Sequence, residues 1–308
     1  MRERPRAFAI VNPAAGHGRG AGLARTIGAE FEAAGMTLEV AVTPGPGEAA
    51  RIASGAVDDG HTIVLAVGGD GTANEVANGM IGGPAALALY PIGSGNDLAR
   101  SLGYPRGRAL RLLARWLATD AERRTIDVGE MNGRLFLNAA GVGIDGHVAE
   151  RVIAAERVIG PRWAAYLIGS LVSIATYRPQ RMEVRIDGEA RSGDLLTVVA
   201  SNGRFFGSGM QPAPRARLDD GLLDVTVAGD LSRLASLAAL ARLYFGKHEN
   251  GTTIVTRLAR EIEIDLPRSL PMQLDGESLH AARLRVTVRP RALDVLAAPR
   301  GWDRAKPG

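Results

Sequence analysis

The chain has 308 residues, of which 46% are hydrophobic and 23% charged, the balance of a globular protein with a buried core. It contains no cysteine, which excludes disulfides, thiolate zinc sites and a cysteine nucleophile and is typical of a reducing cytoplasm. The formal charge is +4, but no basic cluster is interleaved with aromatic residues, so we expect no nucleic-acid binding. The apolar run at residues 7–11 is too short for a signal peptide, and no apolar run is long enough for a spanning helix.

Residues 1–124 alternate apolar runs with segments of helical spacing, a pattern that predicts a parallel α/β domain. Strands are predicted at residues 7–12, 38–43, 62–67 and 86–90. Helices are predicted at residues 23–34, 48–54 and 73–80, and another from about residue 98.

Residues 125–291 change character, because predicted strands follow one another with few helices. These strands lie at residues 125–131, 135–140, 181–186, 195–201, 223–227, 261–266, 272–274 and 284–288. Helical insertions are expected at residues 147–177 and 231–245. The pattern predicts a β-rich domain, antiparallel and sandwich-like, and residues 292–308 are expected to return to the first domain.

Three glycine-rich loops follow predicted strands of the first domain, at residues 12–22, 68–72 and 93–97. Ligands of a parallel α/β sheet bind beyond the carboxyl ends of the strands. Each loop precedes a predicted helix, whose N-terminus presents free N–H groups to an anion. One such loop is usually only a turn, but three side by side predict a site for a polyphosphate.

Two aspartates and two hydroxyl residues stand in these loops, namely Asp70, Asp97, Thr72 and Ser94. The carboxylates would repel a polyphosphate unless Mg²⁺ lies between them or they orient a hydroxyl. The alternative is that both aspartates cap the helices that follow them. Neither the P-loop pattern nor the protein kinase motifs are present.

An ordered series of segments carries a family resemblance: VNPAAGHGRG (11–20), VGGDGTANEVANGM (67–80), PIGSGNDLAR (91–100), NAAGVGIDGHV (138–148), LDDGLLDV (218–225) and LDGE (274–277). The series resembles the diacylglycerol kinase catalytic family, in its bacterial branch, which is also similar to sphingosine and ceramide kinases. It covers residues 7–298. The GGDGT segment alone is also similar to NAD kinases and phosphofructokinases.

The resemblance implies a role for each matching residue. The residues that would bind ATP are Asn12, Pro13, Gly16, Thr43, Gly68, Gly69, Asp70, Gly71, Thr72, Asn74, Ser94 and Asn96. Ser94 stands where the family usually has Thr, and the hydroxyl is kept. Glu277 would be the general base, with Asp97 as a second catalytic carboxylate. A structural metal site would use the Asp220 carboxylate and the carbonyls of Arg217 and Leu222.

The implied function is transfer of the γ-phosphate of ATP, with Mg²⁺, to a lipid hydroxyl, first of all that of diacylglycerol. The nucleotide is expected between the two domains, with most of its site in the first domain, and the second domain is expected to supply the lipid pocket. The lipid is expected at a membrane surface that the cytoplasmic enzyme contacts peripherally. Alternatives are a sphingoid base, ceramide, phosphatidylglycerol or a soluble acceptor as in NAD kinase. A non-catalytic nucleotide- or lipid-binding module is a further alternative. The oligomeric state stays open, with a homodimer among the choices.

Two further segments invite other interpretations. Residues 141–146 match the dinucleotide pattern G-x-G-x-x-G, but the acidic residue expected some 20 positions later is missing. We therefore expect these glycines to shape a loop. Residues 163–175 form an apolar stretch too short to span a bilayer, which is either a core helix or a helix of the membrane interface.

Overall fold

The computed structural model describes residues 6–104, 110–156 and 162–298, except for the side chains of residues 153–156, 162 and 163. The chain forms two compact units. Unit 1 takes in Met1–Ile126 with Arg291–Gly308, and unit 2 is Asp127–Pro290.

Unit 1 begins with four strands that alternate with helices. The strands are β1 (Arg6–Val11), β2 (Thr37–Val42), β3 (Ile63–Gly68) and β4 (Ala86–Pro91). The helices are α1 (Arg19–Ala33), α2 (Glu48–Asp58), α3 (Asp70–Met80), α4 (Asp97–Ser101) and α5 (Leu110–Thr119). All pairings among the four strands are parallel, in the order β4-β3-β1-β2. The predicted parallel α/β layer is confirmed.

The burial of these strands follows from their place in the sheet. All six residues of β3, IVLAVG, are buried, because a central parallel strand is covered by helices on both faces. The edge strand β2 leaves Val40 and Val42 exposed by 38% and 47%. The difference explains why β3 is a continuous apolar run, while β2 also contains the polar residues Thr37 and Glu39.

Unit 2 is dominated by antiparallel strands. They are β5 (Glu122–Met131), β6 (Arg134–Phe136), β7 (Ala139–Gly143), β8 (Gln180–Ile186), β9 (Glu189–Ser201), β10 (Leu223–Gly229), β11 (Ile254–Ala259), β12 (Glu261–Leu274) and β13 (Glu277–Ala297). The helices are α6 (Ile144–Glu156), α7 (Arg162–Thr176) and α8 (Arg233–Leu243). Strand β5 begins in unit 1 and continues into unit 2. Strand β13 begins in unit 2 and ends in unit 1, where Val295 pairs with Leu87 of β4.

Two long strands connect the layers of unit 2. The first half of β9 pairs with β8, and its second half pairs with β7. Likewise, the beginning of β12 pairs with β8, and its end pairs with β7. Such shared strands fold an antiparallel sheet onto itself around a core. That core includes Phe136, Met182, Ile262 and Leu223, all fully buried. The predicted β-rich second domain is confirmed.

Some predicted element boundaries are wrong. Helix α1 begins at Arg19, so the first glycine loop is shorter than residues 12–22, and α3 begins at Asp70 instead of residue 73. Glycine clusters are typical of loops, so the glycines at these helix starts favour a loop in the sequence. Gly20 lies within α1, although glycine is a poor helix former. Glycine is needed there because a side chain at this position would collide with the Asn12 carbonyl.

The strand predictions of unit 2 also need correction. The predicted strand at 135–140 is two strands, because the carboxylate of Asp275 accepts the N–H groups of Leu137 and Asn138 between β6 and β7. Segments 261–266 and 272–274 are one strand, β12, with an irregularity between Asp265 and Leu270. The predicted strand at 284–288 is part of the much longer strand β13, which ends at Ala297, and strand β11 was not predicted.

Candidate active site

The three glycine loops of unit 1 lie side by side at the carboxyl edge of its sheet. The strand order places the ends of β1, β3 and β4 next to one another. The Asn12 N–H donates to the Val67 carbonyl at 3.0 Å, and the Ile92 N–H donates to the Gly68 carbonyl at 2.9 Å. The three loops therefore form one continuous backbone surface.

The closest approach joins the second and third loops. A Cβ atom built on Gly93 would lie 2.6 Å from the Gly69 Cα, a separation that no side chain tolerates. The Gly69 Cα is a backbone atom, so it cannot rotate away from the added group. Glycine is required here because two main chains touch.

Side chains connect the first loop to the other two. Asn12 Nδ2 donates to Thr72 Oγ1 at 3.0 Å, which ties the end of β1 to the first turn of α3. Arg19 donates to the Gly16 carbonyl at 3.1 Å and to the Ile92 carbonyl at 3.2 Å, so it bridges the first and third loops. Sequence reasoning missed Arg19, because it is one arginine among many and stands in no recognised pattern.

The two aspartates occupy different positions. Asp70 lies in the first turn of α3, and its Oδ1 accepts the N–H of Asp97 at 2.7 Å and that of Leu98 at 3.4 Å. Asp70 thus caps α4 instead of the helix that contains it, which corrects the capping alternative. Asp97 is buried, and its Oδ1 lies 3.3 Å from Arg100 Nη1. The catalytic role of Asp97 stays a prediction.

The remaining residues that are predicted to bind the nucleotide lie in or next to the same loops. Thr43 is buried just after β2, and its N–H donates to the Val11 carbonyl at 2.9 Å. Asn96 has φ of 54° and donates from Nδ2 to the Gly93 carbonyl at 2.6 Å. Partly buried positions are Pro13, Gly16 and Asn74, while Gly71 and Ser94 are exposed. The N-termini of α1 and α3 at this edge offer N–H groups to an anion.

In unit 2, Glu277 is the first residue of β13, directly after the turn made by Asp275 and Gly276. The turn is held firmly, because Asp275 accepts the N–H groups of Leu137, Asn138 and Ala139 at 2.7 to 3.0 Å. Glu277 Oε2 lies 2.6 Å from Arg134 Nη2, and both side chains are about half exposed. The Glu277 carboxylate is therefore presented to solvent from a rigid turn.

An apolar cavity of about 140 Å³ lies in unit 2 between the sheet and helices α6, α7 and α8. Its walls are mainly apolar, and Val148, Ile174, Leu196, Phe206, Met210 and Leu240 are among them. The cavity extends to Gly276, the residue before Glu277. Concave apolar sites with a few polar groups are the usual form of a small-molecule site.

Asp145 is a carboxylate on the wall of this cavity. Its Oδ1 accepts a hydrogen bond from Thr197 Oγ1 at 2.6 Å. Burial raises the pKa of Asp145 to about 6, although that hydrogen bond and the backbone N–H groups at the start of α6 counteract the shift. Burial also raises the pKa of the neighbouring Tyr177 hydroxyl, and the charge of Asp145 raises it further.

The glycines of the G-x-G-x-x-G match have a packing role. The segment forms the junction of β7 and α6, where a side chain on Gly141 would collide with the Asp145 carboxylate. A side chain on Gly146 would collide with the Pro271 carbonyl. These close approaches account for the glycines without a dinucleotide.

The predicted metal site lies on the turn before β10. Asp220 Oδ1 accepts the N–H of Leu222 at 3.2 Å, and Arg217 lies 3.6 Å from Asp219. The pKa of nearby Asp224 is raised to about 6, by burial and then by the charge of Asp220. One carboxylate with backbone carbonyls is a donor set that a hard cation accepts, and a cation would relieve this excess negative charge. Among the described residues, no three His, Asp or Glu side chains form a metal cluster.

Comparison with known proteins gives consistent matches along the chain. The family model of the diacylglycerol kinase catalytic domain matches residues 6–131, and that of the YegS C-terminal NAD kinase beta sandwich-like domain matches residues 138–297. A Pseudomonas fluorescens protein named "Probable lipid kinase YegS-like" is 36% identical over 85% of this chain and 86% of its own length. A Pseudomonas aeruginosa protein of the same name is 35% identical over 91% of each chain.

A solved structure described as a "putative diacylglycerol kinase" from Bacillus anthracis has the same fold, with a TM-score of 0.81 at 24% identity over 97% of this chain and 99% of that one. Together the matches show the class of the protein: the chain is a kinase. Within that class, it belongs to the diacylglycerol kinase catalytic family with a YegS-type C-terminal domain. The resemblance read from the motifs is confirmed.

Proposed function

We propose that the chain transfers the γ-phosphate of ATP to the hydroxyl group of a lipid, with diacylglycerol, which yields phosphatidic acid, as the first acceptor to test. The observation that carries the proposal is the apolar cavity of unit 2 that extends to Gly276, beside Glu277. A soluble acceptor, as in NAD kinase, needs a polar site, whereas an acyl chain needs apolar walls. The names of the relatives support the same acceptor class.

In this proposal the loops of unit 1 hold the triphosphate of ATP. Backbone N–H groups of the loop after β3 and of the α3 N-terminus donate to phosphate oxygens, with the hydroxyls of Thr72 and Ser94. Asp70, whose Oδ1 accepts the Asp97 N–H, and Asp97 are the residues that would hold Mg²⁺, and the ion would supply positive charge against the phosphates. Charge neutralisation and positioning are what phosphoryl transfer requires from a protein.

Glu277 is the proposed general base. It takes the proton of the lipid hydroxyl as that oxygen attacks the γ-phosphate, and ADP leaves. Its position after a rigid turn and next to the cavity supports this role. Arg134 holds the carboxylate through the 2.6 Å ion pair and keeps it in one place.

Asp220, with the carbonyls of Arg217 and Leu222, is proposed to hold a structural Mg²⁺ ion in unit 2. The bound ion would supply positive charge next to Asp220 and Asp224, two carboxylates whose repulsion contributes to the raised pKa of Asp224.

We also propose peripheral contact with a membrane through α7 and α8. Both helices line the cavity on one side, with Tyr166 and Ser170 of α7 and Leu240 of α8. On the other side they expose apolar side chains, among them Leu167, Ile168, Leu171 and Val172 of α7 and Leu234 and Leu237 of α8. No described helix is long and apolar enough to cross a bilayer. A helix pair that is apolar on both sides suits a pocket filled from a lipid surface.

The test is labelled-phosphate transfer from ATP to diacylglycerol in mixed micelles, with and without Mg²⁺. The substitution Glu277→Gln should lower kcat by about 10²- to 10⁴-fold, the usual contribution of a general base. The matched control is Glu263→Gln, because Glu263 is a similarly exposed glutamate paired with Arg185 at 3.1 Å in the same unit. A Glu277→Gln enzyme as active as wild type would remove the base assignment.

The same assay separates the alternatives. Transfer to a sphingoid base, ceramide or phosphatidylglycerol, but not to diacylglycerol, would keep the reaction and change the acceptor. Transfer only to a soluble acceptor would contradict the lipid assignment. ATP binding without transfer to any acceptor would favour a non-catalytic binding module, although the presence of Asp70, Asp97 and Glu277 argues against loss of activity.

A further inference from the structure

Four polar side-chain atoms of residues that line the cavity of unit 2 lack a hydrogen-bond partner within the described residues. Two are the ring nitrogens of His248, and the other two, which lie on the neighbouring elements α6 and β12, are Oδ2 of Asp145 and Nε2 of Gln273. Asp145 and Gln273 both line the cavity, and the Gln273 residue is 98% buried, since its exposure is 2%. Buried polar atoms without partners are costly, so a pair of them on a cavity wall indicates a ligand.

The two residues lie at one end of the cavity floor. Gln273 of β12 pairs with Gly141 of β7, Gly141 pairs with Val199 of β9, and Val199 pairs with Thr226 of β10. Paired residues point to the same face of a sheet, so this row spans about 14 Å at the usual strand spacing. The Asp145 carboxylate covers Gly141, next to Gln273, and Thr226 marks the opposite end.

This polar end is the one nearest to the proposed base along the chain. Gln273 Oε1 accepts the N–H of Gly276 at 3.1 Å, and Gly276 itself lines the cavity. Glu277 follows directly. A lipid whose chain lies along the apolar floor would therefore place its polar part at Asp145 and Gln273, in the part of unit 2 that holds Glu277.

The chemistry of the two atoms defines what they bind. Gln273 Oε1 is engaged with Gly276, so the amide presents only a donor to the cavity. Asp145 Oδ1 is engaged with Thr197, so the carboxylate presents an acceptor. The Gln273 amide stabilises the ionised form of Asp145 from nearby, but the two groups do not complete a hydrogen bond. A matching ligand offers one donor and one acceptor.

We propose that Asp145 and Gln273 select lipid alcohols with a second hydroxyl beside the one that is phosphorylated. The second hydroxyl donates to Asp145 Oδ2, and an ester carbonyl accepts from Gln273 Nε2. This inference rests on the proposed lipid kinase function. Diacylglycerol has the carbonyl but no donor except its reacting hydroxyl, whereas monoacylglycerol has both groups.

The first experiment uses the wild-type full chain and two acceptors with the same acyl chain. One is 1-monoacylglycerol, and the other is its 2-deoxy analogue, the monoester of 1,3-propanediol. Because the analogue leaves Asp145 unpaired, kcat/KM should fall by more than about tenfold. Equal values would overturn the inference while the kinase assignment stands. Failure of every lipid alcohol tested, including diacylglycerol, a sphingoid base, ceramide and phosphatidylglycerol, to receive phosphate would instead overturn the proposed function.

The second experiment tests the two residues separately. Asp145→Asn keeps an oxygen that can accept from Thr197 but replaces the free acceptor oxygen with an NH₂ donor. The ratio of kcat/KM for 1-monoacylglycerol to that for the deoxy analogue should therefore decrease to about threefold or less. Gln273→Met removes the donor at similar size, so preference for an ester lipid over its ether analogue should disappear. Gln180→Met, on β8, is the matched control and should keep both preferences. Unchanged preferences in Asp145→Asn and Gln273→Met would show that the pair is only structural.

Discussion

The two units build their candidate sites in opposite ways. In unit 1 the site is made of backbone, because glycines allow main chains to touch, as at Gly69 and Gly93, and helix N-termini at the same edge offer N–H groups. In unit 2 the cavity is made of side chains from three helices and several strands, with a few polar groups among apolar walls. One site suits a charged, compact group, and the other suits a long apolar one.

The difference shows which features of a site leave a trace in a sequence. A backbone site depends on glycine at fixed positions within one short loop, so its residues form contiguous motifs such as residues 68–72. A side-chain cavity collects residues that are far apart in the chain, and each of them is also an ordinary core residue. The comparison can therefore be tested by substitutions that act on one site through the backbone and on the other through a side chain.

The largest effect is expected from Gly93→Ala, which places a methyl group 2.6 Å from the Gly69 Cα and forces two backbones apart. We expect ATP affinity to fall by about 100-fold or more, because a displacement near 1 Å is enough to disrupt positioning on that scale. Isothermal titration calorimetry with ATP measures the effect.

Gly22→Ala provides the control for that substitution. Gly22 lies in α1, and a Cβ there meets no atom within 4 Å. The change should leave ATP affinity unaltered and raise the free energy of unfolding by about 0.5–1 kcal/mol through helix propensity. ATP binding by Gly93→Ala at wild-type strength would contradict a nucleotide site built from these loops.

Sequence reasoning succeeded where local pattern decides structure. The parallel layer of unit 1 and the strand-rich unit 2 follow from hydrophobic periodicity, and the loop positions follow from glycine clusters. The start of α3 at Asp70 was missed, because GGDGT has the composition of a loop while tertiary packing extends the helix into it. The split between β6 and β7 depends on the Asp275 carboxylate, more than 130 residues away along the chain.

A lipid pocket in the second domain was expected from the family resemblance, but the polar residues on its wall were beyond prediction for the same reason. Asp145 belongs to a G-x-G-x-x-G segment whose glycines serve close packing, and nothing in that segment indicates that its carboxylate lines an apolar space. Gln273 lies in the predicted strand 272–274, which is the end of the longer strand β12 in the structure, and strand propensity does not show which face it lines. Only the pairing of β12, β7 and β9 brings these residues together.

A smaller effect is expected from the buried carboxylate in unit 2, through the dependence of stability on pH. The folded-state pKa of Asp145 is raised to about 6 from an ordinary value of 3.8, so the protonated form is favoured in the fold. Its stabilising contribution is complete below about pH 4 and is lost as pH rises through 6. Asp145→Asn should therefore exceed wild type in unfolding free energy by about 2 kcal/mol at pH 7.5, and the difference should vanish near pH 4.

Urea unfolding of both proteins at several pH values measures this difference. Asp194→Asn, which removes an exposed carboxylate of β9, controls for the loss of one charge. A constant difference between Asp145→Asn and wild type from pH 4 to 7.5 would show that Asp145 is not desolvated in the folded protein. The cavity would then be more polar than its walls indicate, and the contrast between the two units would weaken.

The smallest effect is expected at the outer surface of unit 2, where α7 exposes Leu167 by 39% and Leu171 by 42%. Residues 162–178 and 231–248 carry arginine and lysine but no acidic residue, so these segments are complementary to an anionic lipid surface. The double substitution Leu167→Asp with Leu171→Asp should weaken flotation with anionic vesicles by about tenfold, because it removes apolar area and adds like charge.

Leu258→Asp is the matched control, because Leu258 is a leucine of β11 that is 55% exposed in the same unit. It should leave flotation unchanged if contact is confined to the helices that wall the cavity. Equal losses of flotation in the two proteins would show a general solubility effect. Flotation at the wild-type level in both proteins would contradict membrane contact through α7. A loss confined to the α7 variant would connect the side-chain-built site to a lipid surface, a requirement that the proposed nucleotide site of unit 1 would not share, because ATP would reach it from water.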